Sequence, residues 1–395
     1  MRTSLLKSVV ATCGLMLALA FALGLVHPVY AATWLVDTAV DEVDGSCTDG
    51  DCSLRDAIAA AADGDTILFA GDFTIFLDGP LDLAKTITIS GESHAIAVSG
   101  DSAGDGSPNV RVFHVAPTGA ATLANISVIS GTTPSGPDDG CPAFCGGGIV
   151  VDEGGALTIL NATVAGNGGH RGGGIASMGA LTVLSGTISG NSARLSAGAI
   201  WSSGALTVVD STIAYNLAIT TAGGIRVESG IASISNTAIY NNEAIDGGGL
   251  YVVGEASVAG GEFEGNFSQR GGGIFVESSG VLTLSNGLLD WNEALFGGGG
   301  VHSSGLVSVS NTLFQHSYAG NGDGGGIYNA GGTLSVASSR FFLQWCVRGR
   351  RYCQYGGANR DGQHLCGEYP QPCRRRSLLG GAGVIRLPCA RLDPC

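Results

Sequence analysis

The feature that most constrains the fold of this chain is a glycine-rich motif that recurs at a nearly fixed interval. The motif GGGI, or a close variant, ends at Ile149, Ile175, Ile200, Ile225, Leu250, Ile274, Val301 and Ile327. The successive spacings are 26, 25, 25, 25, 24, 27 and 26 residues. Self-similarity at a fixed period of this length indicates stacked, equivalent structural units.

A column of asparagines keeps the same register as the glycine motif. Its members lie 24 to 26 residues apart, at Asn167, Asn191, Asn216, Asn241, Asn266 and Asn292. We expect these side chains to form a ladder, in which each one hydrogen-bonds its equivalent one unit away and satisfies backbone groups of a turn. A polar column that binds a ligand is the alternative interpretation.

Each unit divides into short strands separated by tight turns. In the unit that begins at Gly172, a glycine turn leads into Ile175, and strands follow at residues 180–184 and 186–189. One unit cannot bury its apolar side alone, so neighbours must stack about 4.8 Å apart. In nearly all proteins the crossover connection between two parallel strands of one sheet is right-handed. The sequence therefore predicts an all-β protein, a right-handed, single-stranded parallel β-helix of about 25 residues per coil.

Composition agrees with this architecture. The chain contains 66 glycines without the three-residue period of collagen, which suits short strands and tight turns. A leucine-rich-repeat solenoid is the alternative, but the regular leucine pattern that it needs is absent. One interior column is predicted to contain Val164, Ile188, Ile213, Ala238, Phe263 and Leu289.

The chain is expected to begin with an export signal, residues 1–31. A charged start at Arg2 and Lys7, an apolar run and a small-residue site at 29–31 are typical of a cleaved signal peptide, and an uncleaved membrane anchor is the alternative. No later stretch is apolar enough to predict a transmembrane helix. Residues 32–130 are then an N-terminal cap with the first irregular coils, and residues 131–340 are the regular β-helix.

The cap is predicted to contain one short helix. Ser53 is its expected N-cap residue, with Asp56 three residues later as in a capping box, and Asp63-Gly64 ends it. Because the chain is expected to be exported, close cysteine pairs predict local disulfides. These pairs are Cys47 with Cys52, and Cys141 with Cys145.

The cap and the repeats resemble known surface proteins. The segment Cys52-Ser-Leu-Arg-Asp-Ala-Ile resembles the CSLREA motif of a bacterial surface-protein family, although Asp56 stands where that motif has glutamate. The glycine repeats resemble the GGA-I repeats of polymorphic outer-membrane proteins and other pectate-lyase-like, right-handed β-helices. The resemblance covers roughly residues 33–340. It implies an extracellular, cell-surface or outer-membrane location and adhesion, but it supplies no substrate.

Residues 341–395 differ abruptly from the repeats. They contain 9 arginines, 3 acidic residues and 6 of the chain's 11 cysteines. A zinc module and a small disulfide-bonded domain are two interpretations. The third, which we favour, is a shifted reading frame near residue 340, because codons for residues 345–355 read one nucleotide later can encode another GGGI motif in register. Under this hypothesis the cysteines of the Arg/Cys-rich tail have no evolved function, and a disordered tail is a further alternative.

Charge limits the partners of the β-helix. Residues 32–340 carry 8 basic and 30 acidic side chains, a balance of −22. Such a surface repels nucleic acids and anionic lipids. No cofactor or metal site is predicted. Asp152, Glu228 and Glu277 share a column but never lie in adjacent coils, so they cannot jointly bind one ion. Arg270 is expected to neutralise Asp246 in the adjacent coil. A glycan or a protein of a host or cell surface is the expected partner.

One patch combines acidic and aromatic side chains. Counted from the asparagines, Glu264 and Asp290 occupy one column in adjacent coils, about 5 Å apart. The next column is predicted to hold Tyr215, Tyr240 and Trp291. Paired carboxylates at this separation are typical of a glycosidase or a cation site, and the aromatic rings could bind a sugar. Surface carboxylates and edge aromatics without a function are the alternative.

Taken together, these features favour a secreted or cell-surface β-helix that adheres through its side wall without catalysis. A polysaccharide-degrading lyase or glycosidase that acts along the same wall is the alternative hypothesis. The catalytic candidates are Glu264 and Asp290, and the ligand-binding candidates are Tyr215, Tyr240 and Trp291.

Overall fold

The computed structural model describes residues 31–48, 50–133, 146–346, 354–355, 378–380 and 383–385. The predicted signal peptide (apart from residue 31), the pair Cys141 and Cys145, and most of the predicted tail lie outside these residues. The chain divides into two units, residues 1–356 and 357–395. In the second unit, Leu378–Gly380 and Gly383–Ile385 form an antiparallel hairpin.

The described residues of the first unit form three long parallel sheets. Sheet 1 has twelve strands: Thr33–Val36, Thr66–Phe69, Thr86–Ser90, Ala120–Ala124, Ala156–Leu160, Ala180–Leu184, Leu206–Val209, Ile231–Ser235, Glu255–Ala259, Val281–Ser285, Leu306–Ser310 and Thr333–Ala337. Sheet 2 has eleven: Leu81–Leu83, Phe113–Val115, Ile149–Val151, Ile175–Ser177, Ile200–Ser202, Ile225–Val227, Leu250–Val252, Ile274–Val276, Val301–Ser303, Ile327–Asn329 and Gln354–Tyr355. Sheet 3 has eleven: Phe73–Phe76, Ile96–Ser99, Ile126–Ile129, Thr163–Ala165, Thr187–Ser189, Thr212–Ala214, Ala238–Tyr240, Glu262–Glu264, Leu288–Asp290, Leu313–Gln315 and Arg340–Phe342.

Shorter strands form a fourth side between sheet 3 and the next strand of sheet 2. One group contains Gly168–Arg171, Ser192–Ser196 and Leu217–Ala218. The other contains Phe267–Arg270, Glu293–Gly297, Tyr318–Ala319 and Trp345–Cys346. Each full coil therefore passes through sheet 2, sheet 1, sheet 3 and this short side before it returns to sheet 2.

The predicted fold is confirmed: the coils stack in parallel register as a right-handed β-helix. Ile175 pairs with Ile200, and Ile200 pairs with Ile225, so the glycine-motif positions form one column of sheet 2. The stack continues past the predicted boundary at residue 340, since Arg340–Phe342 pairs with the preceding strand of sheet 3. The ring of Phe341 stacks on that of Phe314, with 4.6 Å between their centroids.

One continuous hydrophobic core fills the inside of the coils. The interior column of sheet 3 runs through Val164, Ile188, Ile213, Ile239, Phe263 and Leu289, all without exposed surface. The prediction of Ala238 in this column is wrong by one residue. Relative to its neighbour, the coil contains an extra residue in the turn that leads from Val227 to Ala232, where Gly230 has a φ of +70°.

The same one-residue shift corrects the asparagine ladder. Asn242, not Asn241, bonds to the ladder residues on both sides. The continuous ladder is Asn167, Asn191, Asn216, Asn242, Asn266 and Asn292. Its side-chain links measure 2.9 to 3.0 Å, and each amide nitrogen also donates to a backbone carbonyl, as Asn242 does to Ile213 at 2.9 Å. The ladder thus satisfies buried polar groups at one corner of six consecutive coils.

The N-terminal cap contains the predicted helix, Leu54–Ala60. The Ser53 hydroxyl accepts the Asp56 backbone N–H at 3.1 Å and donates to the Asp56 carboxylate at 2.7 Å, which fixes the first turn. Leu54 and Ala57 are buried in the common core. The Cys47–Cys52 disulfide is present beside the helix. Among the described residues, no helix is long and apolar enough to cross a membrane.

A histidine ties the cap to the first regular coils. Nδ1 of His114 lies 2.8 Å from Asp82 in the preceding coil, and Nε2 lies 2.9 Å from Asp152 in the following coil. Partial burial lowers the pKa of His114, but the hydrogen bonds to Asp152 and Asp82 outweigh it, so the pKa is raised above the usual 6.5. Both nitrogens can donate only in the imidazolium form.

We predict that replacing Asn242 by Ala lowers the free energy of unfolding by about 3 kcal/mol, because buried partners on both sides lose a hydrogen bond. The matched control is Asn241→Gly, which retains the left-handed backbone at the adjacent position (φ +53°) and should stay within about 1 kcal/mol of wild type. Urea denaturation followed by circular dichroism measures both. An equal loss in the two variants would contradict the corrected ladder.

A second prediction concerns pH. Because the folded pKa of His114 lies above its unfolded value, its contribution to stability is complete below pH 6.5 and is lost as the pH rises through the folded pKa. The thermal midpoint of wild type should therefore fall with rising pH relative to that of His114→Gln, which cannot titrate. Parallel melting profiles of the two proteins across this range would refute the assignment.

Candidate functional site: an acidic, aromatic side wall

The three long sheets present different outer surfaces. Sheet 1 carries one outward column of hydroxyl residues: Thr33, Thr66, Thr88, Thr122, Thr158, Thr182, Thr207, Ser233, Ser257, Thr283, Ser308 and Ser335. Glu255 is the one charged residue in the strands of this sheet. The face therefore has almost no charge and no exposed aromatic ring over its regular coils.

The outer column of sheet 2 is a buried stack rather than an open site. Tyr251, Phe275 and His302 stack with ring centroids 4.9 and 4.8 Å apart, and each is less than 7% exposed. Burial lowers the pKa of His302 to about 4, so this ring is neutral at physiological pH. Arg270 lies over Phe275 and binds Asp246 through Nε at 2.8 Å, which confirms the predicted neutralising pair.

Sheet 3 carries exposed aromatic and acidic side chains at the corner next to the asparagine ladder. We call this surface the aromatic wall and define it as Tyr215, Tyr240, Glu264, Asp290, Trp291 and His316. Tyr215 is 62% exposed and Trp291 is 59% exposed. The wall is therefore open to solvent along the side of the β-helix.

The two carboxylates of the wall are register neighbours, as predicted. Tyr240 pairs with Glu264, and Glu264 pairs with Asp290, so the three residues form one column. The prediction that Tyr240 shares the column of Tyr215 and Trp291 is therefore wrong by one residue. The cause is the same extra residue in the turn between Val227 and Ala232. The Tyr215 and Tyr240 rings still meet edge to face, with centroids 5.4 Å apart.

Two residues that the sequence had not indicated complete the site around Asp290. Gln315 donates its amide to Oδ2 of Asp290 at 2.9 Å, and Nδ1 of His316 lies 2.9 Å from Oδ1. The His316 ring also stacks on Trp291, with 4.7 Å between centroids. Asp290 is thus held by both neighbours and positions the imidazole beneath the indole. The sequence feature that could have identified Gln315 and His316 is their register, because they stand one coil after Asp290 and Trp291.

Three ring-bearing residues of the wall, Tyr215, Trp291 and His316, occupy strained backbone positions. The corner column beside the ladder has a positive φ in nine consecutive coils, at Ser130, Gly166, Gly190, Tyr215, Asn241, Gly265, Trp291, His316 and Leu343. Glycine adopts this conformation without steric penalty, whereas a bulky side chain costs about 1–2 kcal/mol. Because glycine serves the same corner in three coils, the fold does not require Tyr215 or Trp291 there.

Fold and wall together define the class of molecule: a right-handed parallel β-helix with an open, acidic and aromatic side wall. Residues 112–289 match the family model described as "Right handed beta helix region". No curated protein matches the chain. The crystal structure of pectate lyase Pel9A is similar at 12% sequence identity, with 79% of each chain covered and a TM-score of 0.44. A likeness at this level carries no argument about substrate or catalysis.

Among the described residues, no group of three or more histidine, cysteine or acidic side chains is placed to hold a metal ion.

We predict that Trp291→Gly leaves the free energy of unfolding within about 1 kcal/mol of wild type, because glycine relieves the strained backbone while the lost side chain is exposed. The control is Trp201→Ala in the buried outer column of sheet 2, where the side chain is 1% exposed. That variant should lose about 3–5 kcal/mol. Chemical denaturation compares them, and a large loss in Trp291→Gly would identify the indole as a structural residue.

Proposed function

We propose that the protein is an exported or cell-surface β-helix that binds glycan chains through the aromatic wall, without catalysing a reaction on them. The observation that carries the proposal is the placement of Tyr215 and Trp291. Both are more than half exposed, and both stand in left-handed positions where other coils have glycine. Their retention in strained, solvent-exposed positions is explained by a ligand that uses their rings.

The chemistry of the wall suits a sugar. Indole and phenol rings combine a large apolar face with low conformational entropy, and the C–H face of a sugar ring packs against such a surface. Carboxylates accept hydrogen bonds from sugar hydroxyls. The exposed carboxylate of Glu264 is accessible to such a hydroxyl. Tyr215 and Trp291 lie three coils apart in one column, a separation of about 14 Å. An extended oligosaccharide along the helix axis would contact both rings.

The alternative function is hydrolysis of a polysaccharide by Glu264 and Asp290. Register neighbours in a parallel sheet stand about 4.8 Å apart, close to the carboxylate separation of retaining glycosidases. Such enzymes also need one carboxyl group in an apolar pocket that keeps it protonated. Here Glu264 is exposed, and both oxygens of Asp290 engage polar neighbours at 2.9 Å. These environments favour binding over catalysis.

We predict that the full chain binds linear oligosaccharides in a glycan array, and that Trp291→Gly weakens binding at least about tenfold through the loss of one stacking surface. Leu306→Ala, an exposed apolar substitution on sheet 1, is the control and should bind like wild type. Incubation with the bound glycan should release no shorter product.

Turnover that disappears in Glu264→Gln would overturn this proposal in favour of the enzyme hypothesis. Binding that Trp291→Gly leaves unchanged would move the glycan to another surface and also count against the proposal.

A further inference from the structure

On the basis of the proposed function, we infer that the glycan bound by the aromatic wall is a linear chain that carries protonated amines. The stacking residues alone do not determine the charge class of the ligand. The balance of charges on the wall and the direction in which its rings are arranged do.

Acidic side chains outnumber basic ones on the wall, where Arg340 is the basic residue of the outward sheet 3 column, one coil beyond Leu313. The outward columns of sheet 3 and the first position of the short side contribute five carboxylates between residues 238 and 293: Glu243, Glu262, Glu264, Asp290 and Glu293. The same stretch of these columns contains no lysine or arginine. A polyanionic chain, such as a polyuronate, would be repelled by this surface, whereas a cationic chain would be attracted.

Several of these carboxylates form no ion pair with another described residue. None of the ion pairs among the described residues includes Glu243, Glu262 or Glu264. Glu243 is half-buried between Leu217 and Phe267, its register neighbours, and the loss of hydration raises its pKa. A partly desolvated carboxylate without a counter-ion is unfavourable alone, and an ammonium group of a ligand would compensate it.

The geometry selects an extended ligand. Glu264 lies one coil before Trp291 and two coils after Tyr215, and Asp290 lies in the coil of Trp291, next to the platform that Trp291 forms with His316. Ring stacking at both ends and acidic groups between them match a linear chain with sugar rings and repeated amines. A compact cation such as a single amino sugar would reach one platform only.

The test is isothermal titration of the full chain with a glucosamine hexasaccharide and with its fully N-acetylated form, at a pH where the free amines are protonated. The pair has the same sugar backbone and differs in charge. We expect the cationic form to bind at least about tenfold more tightly and its affinity to fall with added salt. Glu264→Gln should reduce its affinity about threefold, and Glu255→Gln, an exposed acidic position on sheet 1, should leave it unchanged.

Equal affinities for the two forms, with no effect of Glu264→Gln, would overturn the charge inference. If Trp291→Gly still weakened that binding, the proposed glycan-binding function would stand on its own. Tighter binding of the acetylated form would also refute the inference. Absence of binding to both forms and to an oligogalacturonate would contradict the inference and the proposed function together.

Discussion

The whole structure depends on the hydrogen-bonded register between consecutive coils. In a parallel sheet each residue is placed opposite one equivalent residue about 4.8 Å away, so a property of one coil becomes a column of the molecule. The interior column, the asparagine ladder and the positive-φ corner all follow from this single constraint. The ladder reinforces it, because Oδ1 of Asn242 accepts hydrogen bonds from both the backbone N–H and the side-chain amide of Asn216 in the preceding coil. A coil that slipped by one residue would break these bonds and expose its apolar column.

The same constraint creates the candidate site. The corner beside the ladder needs a residue with left-handed backbone conformation in each of nine consecutive coils. The backbone there is fixed, so coils differ mainly in the side chain at this position. Tyr215, Trp291 and His316 accept the steric cost that glycine avoids at Gly265. Sheet 1 is nearly uncharged, and the outer column of sheet 2 is buried, so the aromatic wall is the surface on which exposed rings and carboxylates coincide.

Much of this architecture could be predicted from the sequence, because a repeat converts periodicity directly into register. The parallel β-helix, the cap helix with Ser53 at its start, and the adjacency of Glu264 and Asp290 all follow from motif spacing or local pattern. The errors at Ala238, Asn241 and Tyr240 share one cause. Two adjacent asparagines, Asn241 and Asn242, both fit a period near 25, and only the turn with the extra residue decides between them.

Other features of the site were not accessible in this way. The bonds from Gln315 and His316 to Asp290 depend on side-chain directions at a corner, which residue spacing does not specify. The burial of Tyr251 and Phe275 on the outside of sheet 2 depends on how the short side folds over that sheet. Aromatic residues at equal spacings thus have opposite roles: one set packs and the other remains exposed.

The most direct test of the central claim is hydroxyl-radical footprinting of the full chain, with and without the glucosamine hexasaccharide and its N-acetylated form. If the wall binds glycan, Trp291 and Tyr215 should lose reactivity together with at least one of the two ligands, while Leu306 on sheet 1 keeps its reactivity. If Trp291 and Tyr215 stay fully reactive at ligand concentrations that saturate binding, the glycan lies elsewhere and the functional assignment of the wall is wrong.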